Sequence, residues 1–176
     1  MSNKTKIFIV IAIIFLAAGS RLVKHPYNFT PIAAMAIFAG CYFKKKWGLA
    51  FPLAAMFISD YFIGFYDWRI MAAVYLSMGS AYFIGRLLAK RTKWQNVVFA
   101  SLSSSLAFFF ITNLAVWLFG NWYPHNFSGL ANCFVLALPF FRNTLAGDLF
   151  YTGALFGAYG LVVALAMKRV VQQVIA

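Results

Sequence analysis

Residues 97–119 read VVFASLSSSLAFFFITNLAVWLF, without a single Asp, Glu, Lys, Arg or His. A helix needs about 20 apolar residues to cross a hydrocarbon core roughly 30 Å thick, and this run supplies them. Working outward, residues 47–66, 69–88 and 144–167 meet the same requirement. Residues 7–20 and 31–43 are shorter, but flanking Lys6, Arg21 and Lys44 have stems long enough to snorkel and extend both. The sequence therefore predicts an all-α polytopic membrane protein with six transmembrane helices, built as one domain over residues 1–176.

Composition points the same way. Hydrophobic residues make up 64% of the chain and charged residues 10%, against roughly 25% charged in a soluble domain. So few charges cannot coat a water-facing surface, and the natural solvent is lipid. Fifteen Lys and Arg against three acids give a net charge of +12. These cations fall in short clusters between apolar runs and assemble no basic face, which excludes a nucleic-acid partner. The first residues share the charge and length of a signal peptide, but Ala18-Gly19-Ser20 runs straight into Arg21. An uncleaved first helix is expected. Cys41 and Cys133 fall near opposite membrane faces in this layout, so no disulfide is expected.

Orientation follows from the cations. With the N-terminus in the cytoplasm, the inner segments hold Lys4, Lys6, Lys44, Lys45, Lys46, Arg86, Lys90, Arg91, Lys93, Lys168 and Arg169. The outer segments hold only Arg21, Lys24, Arg69 and Arg142. The positive-inside rule selects this arrangement, with both termini cytoplasmic. Trp47 and Trp94 then sit at the inner boundary, and Trp68, Trp117 and Trp122 at the outer one, where indoles are favoured. The outer connections are the longer ones. That spanning 120–143 contains an apolar stretch, 130–141, too short to cross and expected at the interface or dipping into the protein.

Ionisable groups inside a span are costly and are functional candidates by default. Asp60 lies 13 residues after Trp47, about 20 Å from the inner boundary by helical rise. Asp148 lies six residues after Arg142, about 9 Å below the outer boundary. Asn113 lies seven residues before Gly120, about 10 Å down. Three helices thus carry a polar group at one level in the outer half. The functional reading is a solute site reached from outside. The structural reading pairs Asp148 with Arg142 and Asp60 with Arg21 or Arg69, and uses Asn113 to bridge helices.

Two outer loops add aromatic and polar groups: His25-Pro26-Tyr27-Asn28-Phe29-Thr30-Pro31, and Tyr123-Pro124-His125-Asn126-Phe127. Either is suited to cover a pocket mouth. The candidate binding residues are Asp60, Asn113 and Asp148, assisted by Arg142, His25, Asn28 and Trp122. Two acids favour a cationic solute or one rich in hydrogen-bond donors. The two histidines lack metal-ligand spacing, no nucleophile is tied to a base by a known motif, and no phosphate-binding glycine loop is present. The expectation is a protein that is not an enzyme, has no cofactor or metal, and draws energy from partners or a gradient.

The core His25-Pro-x-Asn-Phe-x-Pro-Ile-x-Ala-x-Ala36 within residues 21–40, together with Ser59-Asp60 and Arg142-Asn-Thr-x-x-Gly-Asp148, resembles an uncharacterised family of small bacterial membrane proteins. That family is similar in size and layout to the S components of energy-coupling factor (ECF) transporters. The resemblance implies a six-helix, S-component-like bundle in the bacterial inner membrane that binds a micronutrient. It also implies an outward pocket capped by loops, a membrane scaffold subunit and two cytoplasmic ATPases. S components often dock the scaffold through Ala-x-x-x-Ala on helix one; here Leu16 stands four residues after Ala12. Ser2 occupies the position of the metal-binding His of cobalt and nickel types. The competing expectation is a non-transporting accessory subunit of a larger membrane complex.

Overall fold

The structure, a computed structural model, describes residues 3–24, 26–43, 46–89 and 92–175. The sequence readings on Ser2, His25, Lys44, Lys45, Lys90 and Arg91 lie outside the described residues. Among those described, the chain is all-helical, with six α-helices: α1 (Asn3–Gly19), α2 (Ile32–Tyr42), α3 (Ala50–Ile63), α4 (Trp68–Leu88), α5 (Trp94–Phe119) and α6 (Phe127–Ile175). Short 3-10 turns at Ser20–Leu22 and Lys46–Leu49 follow α1 and precede α3.

Four segments are long and apolar enough to cross a membrane: Lys4–Leu22, Trp68–Leu88, Trp94–Phe119 and Phe127–Lys168. They mark the chain as a membrane protein, and its surface agrees. Phe8, Leu16, Leu76, Leu87 and Phe99 are exposed, while Ser59, Asp60, Ser101, Ser104, Ser105, Asp148 and Thr152 are buried. Apolar side chains outside and polar ones inside is the distribution that lipid favours.

Two helices differ from the sequence reading. The full-length span expected over 47–66 is only 14 residues of α3. The chain is still in a tight 3-10 turn at Gly48, where a Cβ would lie 2.3 Å from the Phe43 Cβ. At the other end α3 stops at Gly64, whose φ of 111° no side-chain-bearing residue adopts comfortably. Conversely, 130–141 is not a separate interfacial stretch. Asn126 starts α6, its Oδ1 accepting the Gly129 N–H at 2.8 Å. The helix then runs through Pro139 without interruption for 49 residues. Only residues 120–126 connect α5 to α6.

The buried helix is α2. Residues Ile32 to Gly40 are all buried, and α2 touches the other five helices. A helix apolar on every side belongs in that position. Its closest neighbour is α4. A Cβ on Gly40 would lie 2.1 Å from the Tyr82 carbonyl oxygen, and one on Gly85 2.1 Å from that of Ile37. The two backbones meet there with no space for a side chain. α5 and α6 form an antiparallel pair, with Phe109 against Phe134 and Phe141, and Thr152 against Ser101. Asp67 caps α4 by accepting the N–H groups of Arg69 and Ile70 at 2.8 and 3.3 Å. Arg69 lies over the Phe119 ring at the end of α5. The helices are thereby held so that the ends of α1, α3, α4 and the middle of α5 and α6 surround a common space.

Candidate functional site

The segment between α1 and α2 folds over α6. Asn28 takes a left-handed φ of 63°, uncommon outside glycine but tolerated by Asn. The turn is closed by the Phe29 N–H donating to the Pro26 carbonyl at 3.0 Å. This places Tyr27 against Phe140 and Phe29 between Phe150 and Tyr151. The Asn143 amide donates to the Tyr27 carbonyl at 3.0 Å. Gly147 lets the loop backbone settle on the helix, since a Cβ there would lie 3.1 Å from the Phe29 Cα.

Beneath this loop are two adjoining cavities of about 180 and 210 Å³, both lined by Asn28, Val74, Phe108 and Thr144. The first adds Arg21, Thr30, Tyr66 and Asp148. The second adds Thr112, Asn113, Phe109 and Phe141. Asn28 is exposed as well as lining both, so the hollow reaches the surface there. The pattern of residues 142–148 becomes intelligible. Asn143 and Gly147, one turn apart, dock the loop, while Thr144 and Asp148, also one turn apart, face the hollow. Thr144 returns its own hydroxyl to the Phe140 carbonyl at 3.1 Å.

The two buried acids have different surroundings. Asp60 is 2% exposed and pairs with Arg21 at 2.8 Å. Its other oxygen accepts the Tyr75 hydroxyl at 2.9 Å. Arg21 also donates to the Met56 carbonyl and the Ser59 hydroxyl, so α1, α3 and α4 are tied through one network. Asp60 does not line either cavity; Arg21 stands between it and the hollow. Asp148, 3% exposed, has a single described polar partner, the Ser105 hydroxyl at 2.6 Å. Among the described residues no cation stands within ion-pair distance of it.

Of the residues singled out from sequence, Asp148, Asn113 and Asn28 share this hollow, and Asp60 reaches it only through Arg21. Asn113 is half-buried and donates to the Phe109 carbonyl at 2.7 Å. Arg142, expected to assist the site, is exposed and lines neither cavity, and the Asp148–Arg142 pair of the structural reading is absent too; Arg142 points to another face of α6 than Asp148. Trp122 is 74% exposed in the connection between α5 and α6 and likewise lines neither cavity. That connection folds back on α5, with Trp117 donating to the Pro124 carbonyl and packing on His125. His25 lies outside the described residues. Sequence reasoning missed Thr30, Tyr66, Tyr75, Ser105 and Thr144. The one-turn spacing of Thr144 and Asp148, two polar groups on one face of an apolar helix, was the available signal for Thr144. Among the described residues no three His, Cys, Asp or Glu side chains cluster as metal ligands.

No curated protein and no solved structure matches the chain. The buried acid and the loop-covered hollow within a bundle of apolar helices lie inside the matched region of one family model: over residues 1–172 the chain matches, and it belongs to, the family of unknown function DUF6580.

Proposed function

We propose that this protein is a substrate-binding and uptake protein of the bacterial inner membrane, S-component-like, that takes a small micronutrient-like solute from the outer face. The observation that carries the reading is the hollow lined by Asp148, Asn113 and Asn28 and open beside an exposed loop residue. Ligand sites are of this kind, mostly apolar walls with a few convergent polar groups. In this reading six helices cross the membrane and both termini are cytoplasmic, as the distribution of Lys and Arg favours. α2 and α3 are short for a crossing, but α2 is enclosed by protein and needs no hydrocarbon-matched length. Irregular backbone at membrane depth is tolerated where it lines a wet cavity, which suits the loop between α1 and α2. Energy comes from a membrane scaffold with ATPases, or from a gradient.

The test is mass spectrometry of the protein purified from its own membranes, with Asp148→Asn as comparison. A stoichiometric small solute on the native chain and none on the variant supports the reading. A protein that carries no solute, and whose expression leaves uptake of every tested nutrient unchanged, sinks it. A second reading draws on Asp60, whose charge is fully engaged by Arg21 and Tyr75 away from the hollow. That arrangement suits an accessory subunit whose polar groups brace the bundle. Co-purification with a large membrane complex, without solute, favours it.

A further inference from the structure

We infer that the solute is a small organic cation bearing an ammonium group, and that it takes the place of a proton on Asp148. The inference rests on the solute-binding reading above and names the chemistry of that site. Three observations carry it. First, the two acids are not equivalent: Asp60 already has a cation, Arg21, at 2.8 Å, whereas Asp148 has only a hydroxyl. A carboxylate inside an apolar bundle without a countercharge is strongly disfavoured, so the site holds either a proton or a cation. Second, Asp148 faces a cavity, with Tyr66 and Phe108 in its wall. Aromatic faces attract an ammonium group, and a single carboxylate, the other acid of the region being already paired with Arg21, suits one positive charge rather than a divalent metal.

Third, the Ser105 hydroxyl lies 2.6 Å from Asp148 and 3.0 Å from the Ser101 carbonyl. It has one proton to give. With Asp148 protonated, the acid donates to Ser105 and Ser105 donates to Ser101. With Asp148 ionised, Ser105 turns its proton to the carboxylate. The same residues satisfy both states, and only the second leaves a negative charge for a ligand. The balance is Asp148–COOH plus R–NH3⁺ giving Asp148–COO⁻···⁺H3N–R plus H⁺, the proton leaving to water through the opening at Asn28. The other titratable groups around the site are Arg21 after α1, Asp60 on α3, Tyr66 before α4, Tyr75 on α4 and Tyr151 on α6. Arg21 and Asp60 neutralise one another, so neither supplies Asp148 with its charge.

The experiment is calorimetric titration of the full chain in lipid nanodiscs with benzylammonium, and with benzyl alcohol as the neutral partner of the same shape. The expected result is saturable binding of benzylammonium at least about tenfold tighter than the alcohol, about 1.4 kcal/mol. Affinity falls as pH is lowered below neutrality, because a proton and the ammonium group compete for one carboxylate. In the acidic range, where Asp148 starts protonated, titrations in buffers of different ionisation enthalpy report release of close to one proton. Asp148→Asn abolishes the preference while its unliganded melting temperature shows that it is folded. Ser105→Ala, which removes a donor to the carboxylate but no charge, keeps the preference and moves the pH midpoint upward. Equal binding of ammonium and alcohol, a preference retained in Asp148→Asn, or affinity flat across that pH range overturns the inference. Absence of binding by both probes overturns it too, while the solute-binding reading is judged separately by what co-purifies.

Discussion

At the scale of single residues, two aspartates, both buried, differ because of what the chain packs beside them. Asp60 meets Arg21, which the 3-10 turn after α1 carries over α3, and the pair is sealed at 10% and 2% side-chain exposure. Removing one partner of such a pair strands a charge, which costs about 3–5 kcal/mol. Arg21→Ala and Asp60→Ala should therefore each lower the melting temperature steeply, whereas Arg21→Met with Asp60→Leu should recover most of it. A double variant as unstable as either single one would show that the network matters for more than charge balance. Asp67 behaves differently because it stands at the exposed start of α4. The slight desolvation there raises its carboxyl, but the N–H groups of Arg69 and Ile70, then the Arg69 side chain, outweigh this and hold it below the ordinary 3.8. A carboxyl lowered by folding stabilises above its unfolded value and loses that contribution as pH falls through the folded one. The gap in melting temperature between the native chain and Asp67→Ala should thus be constant near neutrality and close in acid below pH 3.8. The site itself was legible only where charge is rare. Asp60, Asn113 and Asp148 stood out as polar groups in apolar runs, and the six-residue spacing of Arg142 and Asp148 already sets them about 120° apart on one helix, but nothing in sequence says that Arg21 rather than Arg69 turns toward Asp60. That choice depends on helix rotation, which a single charge on an apolar helix does not define.

At the scale of elements, hydropathy revealed how many helices there are better than where they end. The long apolar runs that became α4 and α5 were read nearly to the residue, because Asp67, Lys93 and Gly120 bound them. α3 was read too long and α6 was divided, since apolar composition is equally compatible with a helix, a 3-10 turn or a continued helix. What distinguishes them is local: the positive φ of Gly64, the crowding around Gly48 and the Asn126 cap. The close approach of α2 and α4 is the element-level feature with the sharpest consequence. Gly40→Ala and Gly85→Ala should each force these backbones apart, and overpacking of this kind costs about 1–3 kcal/mol. Gly79 lies on the same helix α4 with nothing within 4 Å of a Cβ. Gly79→Ala should be neutral or stabilising by up to about 1 kcal/mol, because alanine favours helix. Thermal unfolding of the three variants side by side checks the argument. Equal effects at Gly79 and Gly85 would remove it.

At the scale of the whole molecule, the hollow exists because the chain contains helices of unequal length. α2 and α3 are short, with 11 and 14 residues, whereas α4, α5 and α6 have 21, 26 and 49. Where the short helices stop, the longer ones continue, and the loop between α1 and α2 fills only part of the difference. The same inequality bears on how the chain crosses the bilayer. Six crossings and four crossings with α2 and α3 entering and leaving by one face both put the termini together, so terminal tags cannot separate them. The turn before α3 can. Trp47 is exposed there at 76%, and six crossings bring it to the cytoplasmic boundary. In a background without Cys41 and Cys133, Trp47→Cys should resist an impermeant maleimide in intact cells and react with it in inverted vesicles. Tyr27→Cys, 80% exposed in the loop over α6, should do the reverse. A Trp47→Cys chain labelled from outside, or from neither side, would leave α2 and α3 as a re-entrant pair. It would also mean that the hollow is walled by four crossings and a hairpin.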